Sequence, residues 1–255
     1  MSGIHQVLST NIVPASGGGG YVPPSYVSTD IQLYYNPADS NSYSGSGSTI
    51  TDLSGYNRTG TIVGNPSHDG TAFTFTNDYI MPPNMYAAGS TGIGHTVEVW
   101  VRPTSTSAIW TDQGTPTLNT DYYTTGAEIY PTGPFYNVNT MLWSGTATTR
   151  TGGGISTLGA WINLVRTYNQ FAGANTAQAY LNGVAASPVS IAWVPPWTQT
   201  PGSWYLGFGA QSIPTNFSTG AYFAGDYGII RVYSRPLNQS EVTFNYNAAK
   251  SIYGL

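Results

Sequence analysis

The sequence predicts an all-β fold: a sandwich or jelly roll of two antiparallel sheets, with one short C-terminal helix and an extended N-terminal arm. Three observations predict it. From Asp30 onward, short β-branched and aromatic segments recur, separated by Gly, Ser, Asn and Pro. Several alternate apolar and polar residues with a period of two, the spacing of a strand with one face buried. Only one stretch, at the C-terminus, carries a helix start signal.

Taken in order, residues 1–29 form a leader. It holds Pro14, the run Gly17 to Gly20, and Pro23 and Pro24, a composition that resists regular structure. Ahead of the glycines, Ile4, Val7, Leu8, Ile12 and Val13 supply more apolar surface than a linker requires. The leader reads either as a disordered segment or as an arm that orders on a neighbour. Residues 30–255 read as one domain, a length that all-β sandwiches reach as a single unit. Its strands are IQLYYN, GTIVG, AFTFT, HTVEVWVRP, WINLVRTYN, AQAYLNGVAA, SWYLGFGA and YGIIRVYS. In HTVEVWVRP, Val97, Val99 and Val101 face one way, and Glu98, Trp100 and Arg102 the other. Asn182-Gly183 marks a hairpin, because both residues accept the positive φ of a type I′ turn. At the end, Pro236 stops a strand, Asn238 and Glu241 form a capping box, and Val242, Tyr246 and Ala249 make one helical stripe over residues 239–249. A helix this short is marginal alone in water, so it packs on the sandwich.

Composition narrows function. Hydrophobic residues make up 40% of the 255, enough for a core, yet charged residues are only 7%. An ordinary soluble domain carries about 25%. The surface is therefore Ser, Thr, Asn, Gly and Tyr, with little charge to be screened by salt or to hold copies apart. Seven Lys and Arg against eleven Asp and Glu give a net charge of −4 with no basic stripe, which argues against nucleic acid as a partner. The absence of cysteine excludes disulfides and thiolate zinc sites and suits assembly in a reducing cytosol. No apolar run reaches the roughly 20 residues that span a bilayer, and no signal peptide is visible.

Four segments, in order, resemble the laminin-G-like, concanavalin A-like jelly-roll domain. They are DLSGYNRTGTIVG (52–64), HTVEVWVRP (95–103), GAWINLVRTYN with AQAYLNGV (159–184), and GDYGIIRVYSRPLNQSEVTFNYNAAKSIYGL (225–255). The last, ending NYNAAKSIYGL, is similar to endings of phage and large-virus structural proteins that carry this domain. The resemblance implies a virion component: a capsid decoration, a capsid or tail fibre, or an adhesin, assembled in the host cytoplasm and displayed on the particle surface. The leader would then dock on major capsid or fibre subunits, and the expected self-association is a homo-trimer. A soluble, non-catalytic carbohydrate-binding module is the alternative.

The resemblance also raises three chemistries. Glycan hydrolysis requires paired carboxylates. Glu98 has no acid two or four residues away on its strand, Glu241 is a cap, and Glu128 completes the glutamates, so no enzymatic role is expected. His5, His68 and His95 show no metal or nucleophile spacing and read as surface or strand-end residues. Calcium, which relatives bind in loops, has Asp52 and Asp226 as candidate ligands. Family members often carry Asp-Glu where this chain has Gly228-Ile229, which weakens that reading, and an Asx-turn accounts for Asp52 equally well. Glycan binding needs exposed aromatic faces with amides and acids beside them. Trp100, Trp161 and Tyr180 read as strand core. Trp110, Asp112, Tyr122, Tyr123, Trp193, Trp197 and Trp204 lie in or beside loops on this reading and are the candidate sugar contacts.

Overall fold

The computed structural model describes residues 21–83, 94–105, 108–114, 123–132, 135–144, 148–155, 158–169, 176–186, 189–190, 204–209 and 222–255. Two antiparallel sheets carry the fold. In the first, the strand Gly225–Tyr233 pairs with Gly94–Pro103 on one side. On its other side it pairs with Phe73–Phe75 and Ile31–Tyr35. Beyond Gly94–Pro103 lie Ile162–Asn169, Thr176–Leu181 and Val184–Ala185. The second sheet runs Thr148–Ile155, Phe135–Ser144, Tyr123–Thr132, Ala108–Gly114, Trp204–Phe208, Tyr79–Met81, Gly60–Val63 and Thr49–Ile50.

The period-two pattern divides the first sheet between two cores. Leu33, Tyr35, Val97, Val99, Val101 and Ile230 face the second sheet and bury there with Phe208, Phe75 and Ile80. Their neighbours Tyr34, Trp100, Ile229 and Tyr233 point the opposite way into a second cluster. The helix Gln239–Ala249 closes that cluster with Val242 and Ala249, and the following turn adds Tyr253. Trp100 lies between Tyr253 and Tyr246, with ring centroids 4.6 and 5.6 Å away. Trp161 stands one residue before its strand and is only partly buried, packed on Tyr253 at 4.3 Å. The capping box forms: Asn238 Oδ1 accepts the Glu241 N–H at 3.0 Å, and Glu241 Oε2 accepts the Asn238 N–H at 2.9 Å. Arg235 makes a bidentate pair with Glu241, at 2.7 and 2.8 Å. The hairpin is present as well, with φ of 51° at Asn182 and 77° at Gly183.

Residues 21–29 belong to this packed body. The Tyr26 ring lies 4.7 Å from that of Tyr34, and the Val27 N–H donates to Asn245 Oδ1 at 2.8 Å. Asn36 Nδ2 donates to the Tyr21 hydroxyl at 2.6 Å. A domain boundary at Asp30 therefore cuts through packed structure: two tyrosines offset the proline-rich composition. The apolar leader residues Ile4, Val7, Leu8, Ile12 and Val13 lie outside the described residues. Helix and segment together cover the outer face of the first sheet.

Candidate functional site

The second sheet supplies the other outer face, and strand register sorts its residues. Residues paired across antiparallel strands share a face, and so do residues two apart along a strand. Phe208, buried between the sheets, fixes the inward phase. Opposite it stand Trp110 and, one strand further, Ala127. The same phase holds Leu206, Ile129, Val138 and Leu142, and also Asp112, Thr125 and Thr140. The alternate positions form four further rows. One row runs Tyr205, Gln113, Thr124, Trp143, Thr148. A second holds Thr111, Gly126, Met141 and Arg150, a third Glu128 and Asn139, a fourth Tyr130 and Asn137. Among the described residues, no helix or further strand is paired over this face.

Several candidate sugar contacts fall in strands rather than loops. Trp110 and Asp112 sit inside Ala108–Gly114, paired on both sides, and Trp204 opens Trp204–Phe208 opposite Gly114. All three positions are in phase with Phe208. The sheet lattice holds this Thr-, Asp- and Gly-rich run extended despite its weak strand propensity. Tyr123 opens its strand, also in the inward phase. Tyr122, Trp193 and Trp197 lie outside the described residues. The outward row through Tyr205 and Trp143 was not anticipated. Its signal was the alternation of SWYLGF against PFYNVNTMLWS once those two segments are placed in one sheet.

The carboxylates with described side chains are committed to the fold. Asp52 accepts the Tyr34 and Ser54 N–H groups at 2.9 Å each, the Ser54 hydroxyl at 2.7 Å and the Arg58 N–H at 3.1 Å. That is the Asx-turn, with both oxygens occupied. Asp226 pairs with Arg102 at 2.5 Å and accepts the Thr74 hydroxyl at 2.6 Å. Among the described residues no three His, Asp or Glu side chains gather as a metal cluster. Gly228 sits at a β-bulge where the Tyr253 hydroxyl accepts the Ile229 N–H at 2.8 Å.

Glu98 is fully buried under the helix. It accepts from Arg231 Nη1 at 3.0 Å, Asn163 Nδ2 at 3.2 Å and Asn245 Nδ2 at 2.8 Å. Burial is the largest influence and works against the Arg231 charge, but Glu98 together with Tyr34 and Tyr233 outweighs it and holds the guanidinium pKa above its ordinary value. His95 is buried in its strand, not at the surface. Desolvation, then the Arg166 charge, pushes its pKa well below 6.5, so the neutral ring accepts from Arg166 Nη2 at 2.7 Å.

Comparison with known proteins places this geometry. A family model described as the concanavalin A-like lectin/glucanases superfamily matches residues 74–243. No curated protein matches the chain in sequence. Among solved structures, domain 4 of AbnA, an extracellular arabinanase from Geobacillus stearothermophilus seen with arabinotriose, is similar at 20% identity and a TM-score of 0.56, covering 85% of this chain and 98% of that one. The binding domain of botulinum neurotoxin serotype D/C is similar at 13% identity and 0.55, covering 88% of this chain and 53% of that one. The Trypanosoma rangeli sialidase is similar at 16% and 0.61, covering 94% of this chain and 35% of the enzyme. At these identities the likeness is one of fold: a lectin-like β-sandwich.

Proposed function

The chain belongs to the concanavalin A-like lectin/glucanases superfamily, and on that premise we propose that it is a non-catalytic glycan-binding module displayed on a virion surface. The observation that supports the binding reading is one row of register positions in the second sheet, set against a first sheet whose outer side is packed. That side is sealed by Gln239–Ala249 and residues 21–29. In the second sheet, Tyr205, Gln113, Thr124 and Trp143 pair in one row across four strands, at positions alternate to that of Phe208. Aromatic rings beside amides and hydroxyls are the chemistry that holds a pyranose. Known glycan ligands of structural neighbours, such as the arabinotriose bound to the arabinanase domain, fit the same class.

Glycan hydrolysis is disfavoured by carboxylate placement. Glu98 is buried in an ion pair and Glu241 is held by Arg235 and the cap. Glu128 pairs with Asn139 and has Gly126 and Tyr130 two residues away, so none of these register neighbours among the described residues is a second acid. The virion context rests on the likeness of the closing segment to phage and large-virus proteins, with residues 1–20 as the docking arm and a trimer as the assembly.

The test is a glycan array followed by titration of the best ligand. Tyr205→Ala and Trp143→Ala should each weaken binding at least about tenfold with unchanged circular dichroism. Unchanged binding in both variants, or turnover of the ligand, overturns the reading. For the virion role, a chain beginning at Tyr21 should fold but fail to join particles. Normal incorporation refutes the arm.

A further inference from the structure

Among the described residues, Arg58 is an arginine held in place without a carboxylate partner. Arg102 pairs with Asp226, Arg231 with Glu98, and Arg235 with Asp30 and Glu241. Arg58 pairs with no described carboxylate. Its Nη1 is spent on Gln32, donating to the backbone oxygen at 2.6 Å and to Oε1 at 2.9 Å. Its backbone is pinned too: the N–H donates to Asp52 at 3.1 Å, and the carbonyl accepts the Tyr35 hydroxyl at 2.6 Å. The guanidinium carbon lies 4.7 Å over the ring of Tyr56, itself 55% exposed.

The other edge of the guanidinium is open. Nε and Nη2 make no hydrogen bond to a described residue, and neither is among the buried unpartnered atoms, so solvent reaches both. These two nitrogens lie on one side of the planar group and form the fork that grips a carboxylate with two parallel bonds. Gln32 and Tyr56 fix the plane, so little side-chain entropy remains to be lost on binding. The exposed amide and hydroxyl of Asn57 and Thr59 flank the arginine in the chain.

We propose that the 52–58 turn is a second ligand site, specific for a carboxylate-bearing sugar, with the Nε–Nη2 edge of Arg58 as the carboxylate fork. Sugar rather than another carboxylate rests on the glycan-binding reading above. The site lies in the turn between Thr49–Ile50 and Gly60–Val63, the last two strands at one edge of the second sheet, two strands beyond Trp204–Phe208.

The experiment is a ¹⁵N titration following the arginine Nε–H resonances and the backbone amides together. The probes are a glucuronate-containing disaccharide and its neutral glucose counterpart. The acidic sugar should move the Arg58 Nε–H and the neutral one should not. Arg58→Lys, which keeps the charge but loses the fork, should weaken the acidic sugar at least about tenfold. Two results overturn the proposal: a motionless Arg58 resonance at about 10 mM acidic sugar, or equal affinity in Arg58→Lys with unchanged amide spectra elsewhere. The two readings separate cleanly. Neutral-sugar shifts on the Tyr205–Trp143 row with Arg58 silent sink this site alone, whereas Arg58 shifts with that row silent sink the sheet-face reading alone.

Discussion

Replacing Asn245 by leucine should cost far more than its position on a surface helix suggests. Its side chain makes two buried contacts and one half-buried: it donates to Glu98 Oε2 at 2.8 Å and to the Tyr233 hydroxyl at 3.0 Å, and accepts the Val27 N–H at 2.8 Å. Leucine has the same branching and number of side-chain heavy atoms and the helix tolerates it, so the change chiefly removes the hydrogen bonds. Losing a bond to a charged carboxylate costs about 1.5–3 kcal/mol. Leaving the Val27 N–H without an acceptor adds about 1 kcal/mol or more, partly offset by apolar burial. The net expectation is about 3 kcal/mol, roughly 1 M in urea midpoint with the slope unchanged. Limited proteolysis supplies a second readout, because residues 21–29 lose an anchor and should be cut faster. A loss below about 1 kcal/mol with no change in cutting would refute the claim that this network seals the outer face.

Other expectations follow from the same geometry. Gly228→Ala places a Cβ against the Tyr253 ring, whose Cζ is 2.7 Å from that point, and should destabilise by about 2 kcal/mol in urea melts. Combining it with Tyr253→Phe should cost less than the sum of the two single changes. Asp52→Ala should cost about 2–3 kcal/mol, because four donors lose their acceptor. A chelator should leave the thermal midpoint unchanged, and a drop of several degrees would restore calcium as a ligand of that turn. His95 sets a pH window. Its folded pKa lies below the ordinary 6.5, so the unfolded chain takes up the proton first. Stability should be fully present above about pH 6.5 and fall by up to about 1.4 kcal/mol per pH unit below it, until the folded pKa is passed. His95→Gln should flatten that fall.

Much of the fold was legible because local signals agreed with the tertiary solution. The alternation of Val97, Val99 and Val101, the Asn182-Gly183 turn and the Asn238–Glu241 cap all form where the residues place them. What was not legible depended on partners distant in sequence. Asn245 reads as an ordinary helix polar residue until Glu98, 147 residues away, is seen beneath it. Tyr26 and Val27 follow two prolines and read as linker, yet Tyr34 and Asn245 hold them. Trp110 and Asp112 read as loop because Thr, Asp, Gln and Gly are poor strand formers, and two neighbouring strands override that preference. Of the site itself, aromatic richness was visible in the sequence, but the face each ring occupies follows only from register.

The most direct test of the account is amide shift mapping with the best neutral ligand from a glycan array. Binding on the second sheet should confine the shifts to Tyr205, Gln113, Thr124 and Trp143 and their immediate neighbours. Shifts centred instead on Trp100, Tyr246 and the C-terminal helix, or no saturable shifts with any neutral glycan, would contradict it.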